Sequence, residues 1–202
     1  MTAFISPRPQ VSGDEIRIEI TRKSIHLLIA LVPALASISR LWTELLLAAG
    51  IAFYTVCEAL RMHGHSVPVI SRITALAARR RDKGRFVKGP LTLGTGALLS
   101  LLIFAPQKAS IAIYSLAFGD GLSSLVGKLF GRIRIPGTHG KSLEGSLTCF
   151  AAVFLSTLLV SGRALPALGV AAVAMVTEAL PLKDFDNIVL PLVAGTAALL
   201  LL

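Results

Sequence analysis

One carboxylate lies inside an otherwise apolar stretch of this chain. Asp120 falls within residues 109–131, which are otherwise apolar enough to cross a membrane. A carboxylate at that depth costs about 3 kcal/mol on insertion scales, so it is kept mainly where it faces a polar cavity, an ion or a partner. Gly119 and Gly121 on either side allow the backbone to bend and another group to approach. Asp120 is therefore a candidate ligand for a cation.

Two patterns run along the predicted helix that carries Asp120. Asp120, Ser124 and Lys128 recur every four residues and form a polar stripe. Beside the stripe, small residues recur at the same interval and form a ridge on which another helix can pack; they are Gly119, Ser123, Gly127 and Gly131. Helix packing accounts for the ridge, but packing alone does not readily explain the polar stripe.

Further charged residues gather in segments that we expect to lie on one membrane face. Segment 129–145 has three glycines before Lys141 and then continues with Ser142 and Glu144. Carboxylates can hold a divalent cation, and lysines and backbone amides neutralise phosphate, so this combination is typical of a nucleoside triphosphate site. The charged candidates are Asp120, Lys128, Lys141, Glu144, Glu178, Asp184 and Asp186.

Other interpretations stay open for several of these residues. Glu58 and Glu178 stand at the ends of predicted spans and could be interfacial residues that reach water. Asp184 is typical of a solvated loop charge. His139 could touch a phosphate or only fill its loop, and His26 is interpreted as an intramembrane histidine with satisfied hydrogen bonds.

One apparent phosphate-binding motif is excluded. Gly140-Lys141-Ser142 resembles the end of G-x-x-x-x-G-K-[ST]. The first glycine of that motif would fall on Ile135, and no strand–helix unit flanks the segment.

The elements that position these residues are apolar helices. Hydrophobic residues make up 54% of the 202 residues and come in long blocks, which exceeds the composition of a soluble domain. We predict an all-α, polytopic transmembrane bundle that forms a single integral membrane domain over residues 1–202. About seven spans are expected, near 24–39, 41–60, 90–105, 109–128, 146–162, 164–180 and 188–202.

The basic residues predict the orientation of this bundle. With seven spans, seventeen of the twenty Lys and Arg fall in the polar segments on the side of the N-terminus, and three fall on the other side. The positive-inside rule then makes the N-terminus and the loops 61–89 and 129–145 cytoplasmic. The net charge of +9 is thus explained by topology and contact with anionic membrane lipids, and nucleic acid is not an expected partner.

Four short blocks occur in order from residue 22 onward. They are Arg22-Lys23-x-x-His26; Asp120-x-x-x-x-x-x-Gly127-x-x-x-Gly131; Lys141-Ser142-Leu143-Glu144-Gly145-Ser146; and Glu178-Ala179-Leu180-Pro181 followed by Asp186-Asn187-x-x-x-Pro191. In this order, within seven spans, the chain resembles the CTP-dependent polyprenol kinase family, which includes dolichol, phytol and farnesol kinases and the CTP-dependent diacylglycerol kinase of yeast type. One position departs from the family pattern, because Ser123 stands where alanine is usual.

The resemblance implies transfer of the γ-phosphate of CTP to the hydroxyl of a lipid alcohol, with a divalent cation such as Mg²⁺. It implies a CTP site in the loop 129–145, with Asp120, Lys141, Glu144 and Asp186 as catalytic residues. The implied metal ligands are Asp120, Glu144 and Glu178. The implied nucleotide contacts are Ser124, Gly127, Lys128, Gly131, His139, Gly140, Ser142, Gly145 and Asn187. Asp120, Glu178 and Asp186 are all candidates for the general base, and a homo-oligomer stays open.

Two other functions are considered. Phosphatidate cytidylyltransferases share a similar Asp…Gly…Gly…Lys-x-x-Glu-Gly segment, but they continue with a Pro-Gly-His-Gly-Gly run near the C-terminus that does not follow here. A small transporter could use an intramembrane Asp for coupling, but the outer half of this chain is almost uncharged.

The kinase interpretation leads to one structural prediction. The span that carries Asp120 should bend or break at Gly119 to Gly121, and Asp120 should lie near Lys141, Glu144 and Asp186.

Overall fold

A computed structural model describes residues 13–65, 84–138 and 140–202. Within those ranges every regular element is a helix, apart from an isolated β-bridge between Arg134 and Ser142. The predicted all-α fold class is confirmed. The middle of the predicted loop 61–89 and the candidate residue His139 lie outside the described residues.

The described helices follow one another with short connections. Between the α-helices lie 3-10 turns at Leu28–Leu31 and Lys183–Phe185 and a π-helical turn at Ser115–Asp120. The α-helices are α1 (Gly13–Leu27), α2 (Val32–Ile38), α3 (Arg40–Met62), α4 (Gly89–Ile103), α5 (Pro106–Tyr114), α6 (Gly121–Leu129), α7 (Leu143–Ser161), α8 (Ala164–Ala179) and α9 (Asp186–Leu201).

Four helical stretches are long and apolar enough to cross a membrane. They are Arg40–Met62, Pro106–Leu129, Leu143–Ser161 and Lys183–Leu201. The helices α4 and α8 are also apolar but have 15 and 16 residues. The first predicted span, 24–39, is divided by the 3-10 turn, and Pro33 stands at the start of α2. Four of the predicted spans therefore coincide with helices of spanning length.

The stretch from α5 to α6 is the central helix of the bundle. Of its most apolar stretch of 18 residues, 61% is buried inside the protein, compared with 11% of the corresponding stretch of α3. The helices α7 and α9 pack against it, and α8 packs on both of them. The buried side chains around it include Ile111, Ile113, Leu116, Cys149, Val153, Val170 and Leu190. Asp120 is thus carried by the most enclosed of the four described helices of spanning length.

The central helix is irregular, as the sequence predicts, but the irregularity starts earlier than Gly119. Its π-helical turn runs from Ser115 to Asp120, and regular α-helix resumes at Gly121. Turns of this kind are frequent at functional sites and produce kinks. Asp120 is the last residue of the turn.

A close approach of α4 and α9 positions the start of α9. A Cβ atom on Gly96 would lie 2.0 Å from the backbone oxygen of Asn187, so only glycine permits this distance. The Asn187 side chain donates a hydrogen bond to Thr92 Oγ1 at 3.0 Å. These contacts hold Asp186 and Asn187 beside the N-terminus of α4.

Candidate functional site

A cavity of about 400 Å³ lies where the central helix meets the N-termini of α4, α7 and α9. Its lining includes seven lysine and arginine side chains and five carboxylates, an excess of positive charge that favours a polyanion. The charged lining residues are Glu19, Arg22, Lys23, Lys88, Asp120, Lys128, Arg134, Lys141, Glu178, Lys183, Asp184 and Asp186. Three helix N-termini add backbone N–H groups and the positive ends of their dipoles.

Two side chains of α1 bind the π-helical turn that carries Asp120. The Lys23 ammonium lies 2.5 Å from Asp120 Oδ2 and also donates to the Asp120 backbone oxygen at 3.0 Å. His26 Nε2 donates to the backbone oxygen of Leu116 at 2.9 Å and lies 3.4 Å from Asp120 Oδ2. Lys23, His26 and Asp120 are all buried. The hydrogen bonding of His26 is therefore satisfied, as expected, and Asp120 is held in an ion pair.

A second, partly buried ion pair joins the loop before α7 to the end of α8. Lys141 Nζ lies 2.5 Å from Glu178 Oε1, and Glu178 is 3% exposed. The hydroxyls of Ser123 and Ser146 also donate to the Glu178 carboxylate, at 3.3 and 3.2 Å. Glu178 faces the cavity and is not an interfacial residue that reaches water.

The charge of Lys141 is maintained by its neighbours. Burial alone would lower the pKa of Lys141, but the carboxylates of Glu178 and Asp120 outweigh it and leave the pKa raised. The ammonium stays protonated at neutral pH and is available to a phosphate.

Lys128 is paired across the cavity with a residue that the motifs did not indicate. Its ammonium lies 2.7 Å from Glu19 Oε2, and Arg22 donates to the other oxygen of the same carboxylate. Glu19 is 2% exposed. Its spacing from Lys23 and His26 places all three on one face of α1, which is the signal that could have identified it.

Ser142 caps the N-terminus of α7 and organises the predicted glycines. Its Oγ accepts the backbone N–H of Gly145 at 3.1 Å. A Cβ on Gly131 would lie 2.7 Å from the Ser142 Cβ, and one on Gly127 would lie 3.0 Å from the Ser142 Oγ. Gly127 in α6 and Gly131 just after it thus admit the cap of α7. Gly127 and Gly145 line the cavity and Gly131 packs behind Ser142.

Glu144, expected either to orient Lys141 or to hold the metal, lies outside the cavity. Its carboxylate accepts the backbone N–H groups of Arg132 and Ile133 at 2.8 and 3.2 Å, and it does not line the cavity. It closes the base of the loop between α6 and α7, where Ile135 N–H donates to the Lys141 oxygen at 3.0 Å. Glu144 therefore shapes the loop that carries Lys141.

Asp186 and Asn187 stand at the start of α9 and line the cavity. Asp186 Oδ1 accepts the backbone N–H of Asn187 at 2.9 Å. Asp186 is near enough to Asp120 and Lys141 for their charges to act on one another. Of the other expected contacts, Ser124 Oγ lies 3.5 Å from Asp120 Oδ1, and Gly140 adopts a positive φ of 97° at the cavity wall.

The expected metal ligands do not converge as a set. In the described part of the chain, no three His, Cys, Asp or Glu side chains come close enough to hold a metal ion together. Asp120 and Glu178 both reach Ser123, through the Asp120 backbone oxygen and the Glu178 carboxylate, whereas Glu144 is held by loop amides. The structure thus brings together Asp120, Lys141, Glu178 and Asp186 and leaves Glu144 outside.

Known proteins similar to this chain are lipid kinases by name. Phytol kinase 1 of Arabidopsis thaliana is 31% identical over an alignment of 205 positions, which covers 90% of this chain and 66% of that protein. Dolichol kinase of Saccharomyces cerevisiae is 28% identical over 158 residues, 76% of this chain and 30% of that protein. CTP-dependent diacylglycerol kinase 1 of Eremothecium gossypii is 25% identical over 122 residues, 60% of this chain and 38% of that protein.

This chain spans only part of the length of those relatives, between 30% and 66% of it. No family model matches the chain, and no solved structure matches it either.

The buried pair of Lys23 and Asp120 leads to a stability prediction. Lys23→Met leaves an unpaired buried carboxylate and should cost about 3–5 kcal/mol of unfolding free energy. The double variant with Asp120→Asn should lose less than the sum of the two single variants, because neither charge then lacks its partner. The measurement is unfolding of purified protein in detergent, analysed as a double-mutant cycle.

Glu44→Gln provides the matched control for that cycle. It removes the ion-pair partner of Arg40, a half-exposed residue at the N-terminus of α3. The substitution should cost under about 1 kcal/mol of unfolding free energy. Strictly additive losses at Lys23 and Asp120 would contradict the pairing.

Proposed function

We propose that this chain, which belongs to the CTP-dependent polyprenol kinase family, is a membrane lipid-alcohol kinase that transfers the γ-phosphate of CTP to the hydroxyl of its acceptor. The observation that carries the proposal is the charged cavity at one end of the apolar helices, where Asp120, Lys141, Glu178 and Asp186 meet. A polar cavity in that position suits an acceptor whose hydroxyl must meet a water-soluble nucleotide. The names of the similar proteins support the same activity.

We place this cavity on the cytoplasmic side of a seven-span bundle. Four of the seven spans are the helices of spanning length. The other three are α4, α8 and the segment 24–39, which contains a 3-10 turn. The described cavity residues include the N-termini of α4, α7 and α9 and the loop that carries Lys141, close to sequence segments rich in basic residues. Under the positive-inside rule, that side is cytoplasmic and so is the N-terminus.

The phosphates of CTP bind at the basic wall of the cavity. Lys141 and Lys128 supply positive charge, and the N-terminus of α7 supplies backbone N–H groups beside the Ser142 cap. Each lysine is already paired with a carboxylate, so neither charge is buried alone before the nucleotide arrives. When CTP binds, Lys141 exchanges the Glu178 carboxylate for a phosphate oxygen.

The carboxylates of the cavity fit a hard divalent cation such as Mg²⁺. Mg²⁺ in nucleotide sites takes one or two protein carboxylates and completes its shell with phosphates and water, so three converging ligands are not required. Asp120 and Glu178, which both line the cavity, are the residues that would hold it. A bound cation would neutralise charge on the β- and γ-phosphates.

The transfer itself needs positioning and one proton acceptor. The oxygen of the lipid alcohol attacks the γ-phosphorus of CTP. The bond between that phosphorus and the oxygen bridging it to the β-phosphate breaks, and CDP leaves. The hydroxyl proton passes to a carboxylate, for which we assign Asp186. Among the described acidic residues that we place in the reaction, Asp120 and Glu178 are held in lysine ion pairs and Asp186 is not.

A direct assay tests the activity. Purified protein with γ-labelled CTP and a panel of lipid alcohols (phytol, polyprenol, farnesol and diacylglycerol) should give a labelled lipid monophosphate and CDP. Asp120→Asn should lower kcat by about 10²-fold or more, because it removes a charge that acts on the reacting phosphates. Glu44→Gln, at the far end of α3, should keep the wild-type rate.

Three outcomes would contradict the proposal. They are full activity in monodisperse Asp120→Asn protein, label in none of the lipids, and release of pyrophosphate with formation of a CDP-lipid. The last outcome would instead identify a cytidylyltransferase.

The location of Glu144 gives a second kinetic prediction. Glu144→Gln keeps an acceptor for the two loop amides and removes the charge that a metal ligand needs. We expect kcat and the Mg²⁺ requirement to change by less than about fivefold, because a neutral acceptor weakens a hydrogen bond by about 1 kcal/mol. A large loss of kcat with a shifted Mg²⁺ dependence would show instead that Glu144 holds the cation.

The proposed topology is tested by cysteine labelling in intact cells. In a background of Cys57→Ser and Cys149→Ser, we expect a membrane-impermeant maleimide to label Arg163→Cys directly and His65→Cys only after permeabilisation. Both positions are exposed in the structure. The reverse pattern, or equal labelling of both, would overturn the orientation.

A further inference from the structure

The cavity has an apolar end in addition to its charged end. We propose that this end, lined by Ile25, Tyr54, Val87, Pro90 and Leu93, receives the first carbons of the acceptor's hydrocarbon chain and opens to the bilayer between α1 and the α3–α4 pair. This inference rests on the lipid-alcohol kinase function proposed above. It adds the place of the acceptor and its route of entry.

The wall of the apolar end is built by two hydrogen bonds to one residue. Tyr54 Oη donates to the backbone oxygen of Val87 at 2.8 Å, and Glu58 Oε1 accepts the backbone N–H of Val87 at 2.8 Å. Glu58 is fully buried and is itself held by Arg61 at 2.7 and 2.8 Å. Both polar groups of the Val87 backbone are thus satisfied from α3, which leaves the valine side chain to face the cavity.

The position of Tyr54 along α3 places this wall at membrane depth. Tyr54 lies eight residues before Met62, the last residue of α3, a distance of about 12 Å along a helix. Leu93 lies four residues inside α4, or about 6 Å. Asp120 lies nine residues before Leu129, the last residue of α6, or about 14 Å along the helix, so the apolar wall reaches a depth similar to that of this carboxylate.

The helices on the two sides of the opening belong to different packing groups. The helix α1 packs on α6 and on the central helix, whereas α3 packs on α4 and α2. The cavity lies between these groups, with Ile25 on one wall and Tyr54 and Leu93 on the other. We infer that a chain entering here passes between α1 and the α3–α4 pair to reach Asp120.

The side chains that flank this opening are apolar and exposed. On α1 and the 3-10 turn that follows, Ile25 and Leu28 are 37% and 62% exposed. On α3, Phe53 and Val56 are 59% and 58% exposed. Apolar surface of this extent suits the hydrocarbon of the bilayer, so the tail of an acceptor can leave the cavity directly into lipid.

The volume of the cavity limits what part of the acceptor it encloses. About 400 Å³ is near the lower end of pockets that hold one small ligand, and the nucleotide occupies the charged end. The cavity therefore holds the hydroxyl and the carbons next to it, while the rest of the chain stays in lipid. Acceptor choice then depends on structure close to the hydroxyl more than on chain length.

Two tryptophan variants test the assignment from opposite walls. Leu93→Trp and Ile25→Trp should each fill the apolar end and raise KM for the lipid alcohol about tenfold or more, the effect of a changed hydrophobic pocket. CTP affinity, measured by equilibrium binding without the acceptor, should stay within about twofold of wild type, because the charged end is untouched. Leu102→Trp, on the same helix as Leu93 and 56% exposed, is the control and should change neither quantity.

Failure of this inference is distinguishable from failure of the proposed function. If wild-type protein phosphorylates no lipid alcohol, the function itself is overturned. If wild-type protein is active and both tryptophan variants keep the wild-type acceptor KM, the function stands and the acceptor site is wrong.

A labelling experiment on the wild-type protein removes the dependence on folded variants. A lipid alcohol that carries a diazirine beside its hydroxyl should crosslink to peptides containing Tyr54 or Leu93. Crosslinks confined to the exposed lipid face of α7, such as Leu159, would overturn the proposed route.

Discussion

The ion pair between Lys23 and Asp120 is the constraint on which the site depends. Both charges are buried, and neither can be left alone in the bundle without a large penalty. Helix α1 must therefore dock against the π-helical turn of the central helix. That docking also places Glu19 beside Lys128 and His26 beside the Leu116 oxygen. One side of the cavity is thus a consequence of pairing a single buried carboxylate.

The other side of the cavity depends on how closely helix backbones approach one another. Gly96 lets α9 come within contact of α4, and this brings Asp186 to the cavity. Gly127 and Gly131 similarly admit Ser142, which caps α7 and carries Lys141 beside Glu178. Small residues act here as positioning elements, because the space that they leave determines where charged neighbours stand.

Much of this arrangement could be predicted from residue types and their order. A carboxylate in an apolar run, flanked by glycines and followed by a basic loop, predicted both the irregular helix and the association of Asp120 with Lys141. The start of the irregularity at Ser115 was not predictable, since it depends on Lys23 and His26 of a distant helix binding the backbone oxygens of the turn.

The role of individual charges was harder to predict than their presence. Glu144 follows Lys141 within a motif, and sequence order gave no sign that its carboxylate turns away to bind the amides of Arg132 and Ile133. Glu19 was missed for the opposite reason. It stands in a mixed-charge segment with many exposed residues, and only its helical spacing from Lys23 distinguishes it from a solvated glutamate.

The two hydrogen bonds to the Val87 backbone have a consequence for how the acceptor wall that we propose can change. The wall that we assign to the acceptor is held from α3, by Tyr54 and Glu58, whereas the loop that carries Lys141 is held by Glu144 and Glu178. Substitutions at Tyr54 or Leu93 can then reshape the lipid side while the phosphate side stays intact. Under the function proposed above, descendants of one ancestral protein can in this way accept new alcohols through substitutions in two helices and keep a single nucleotide chemistry.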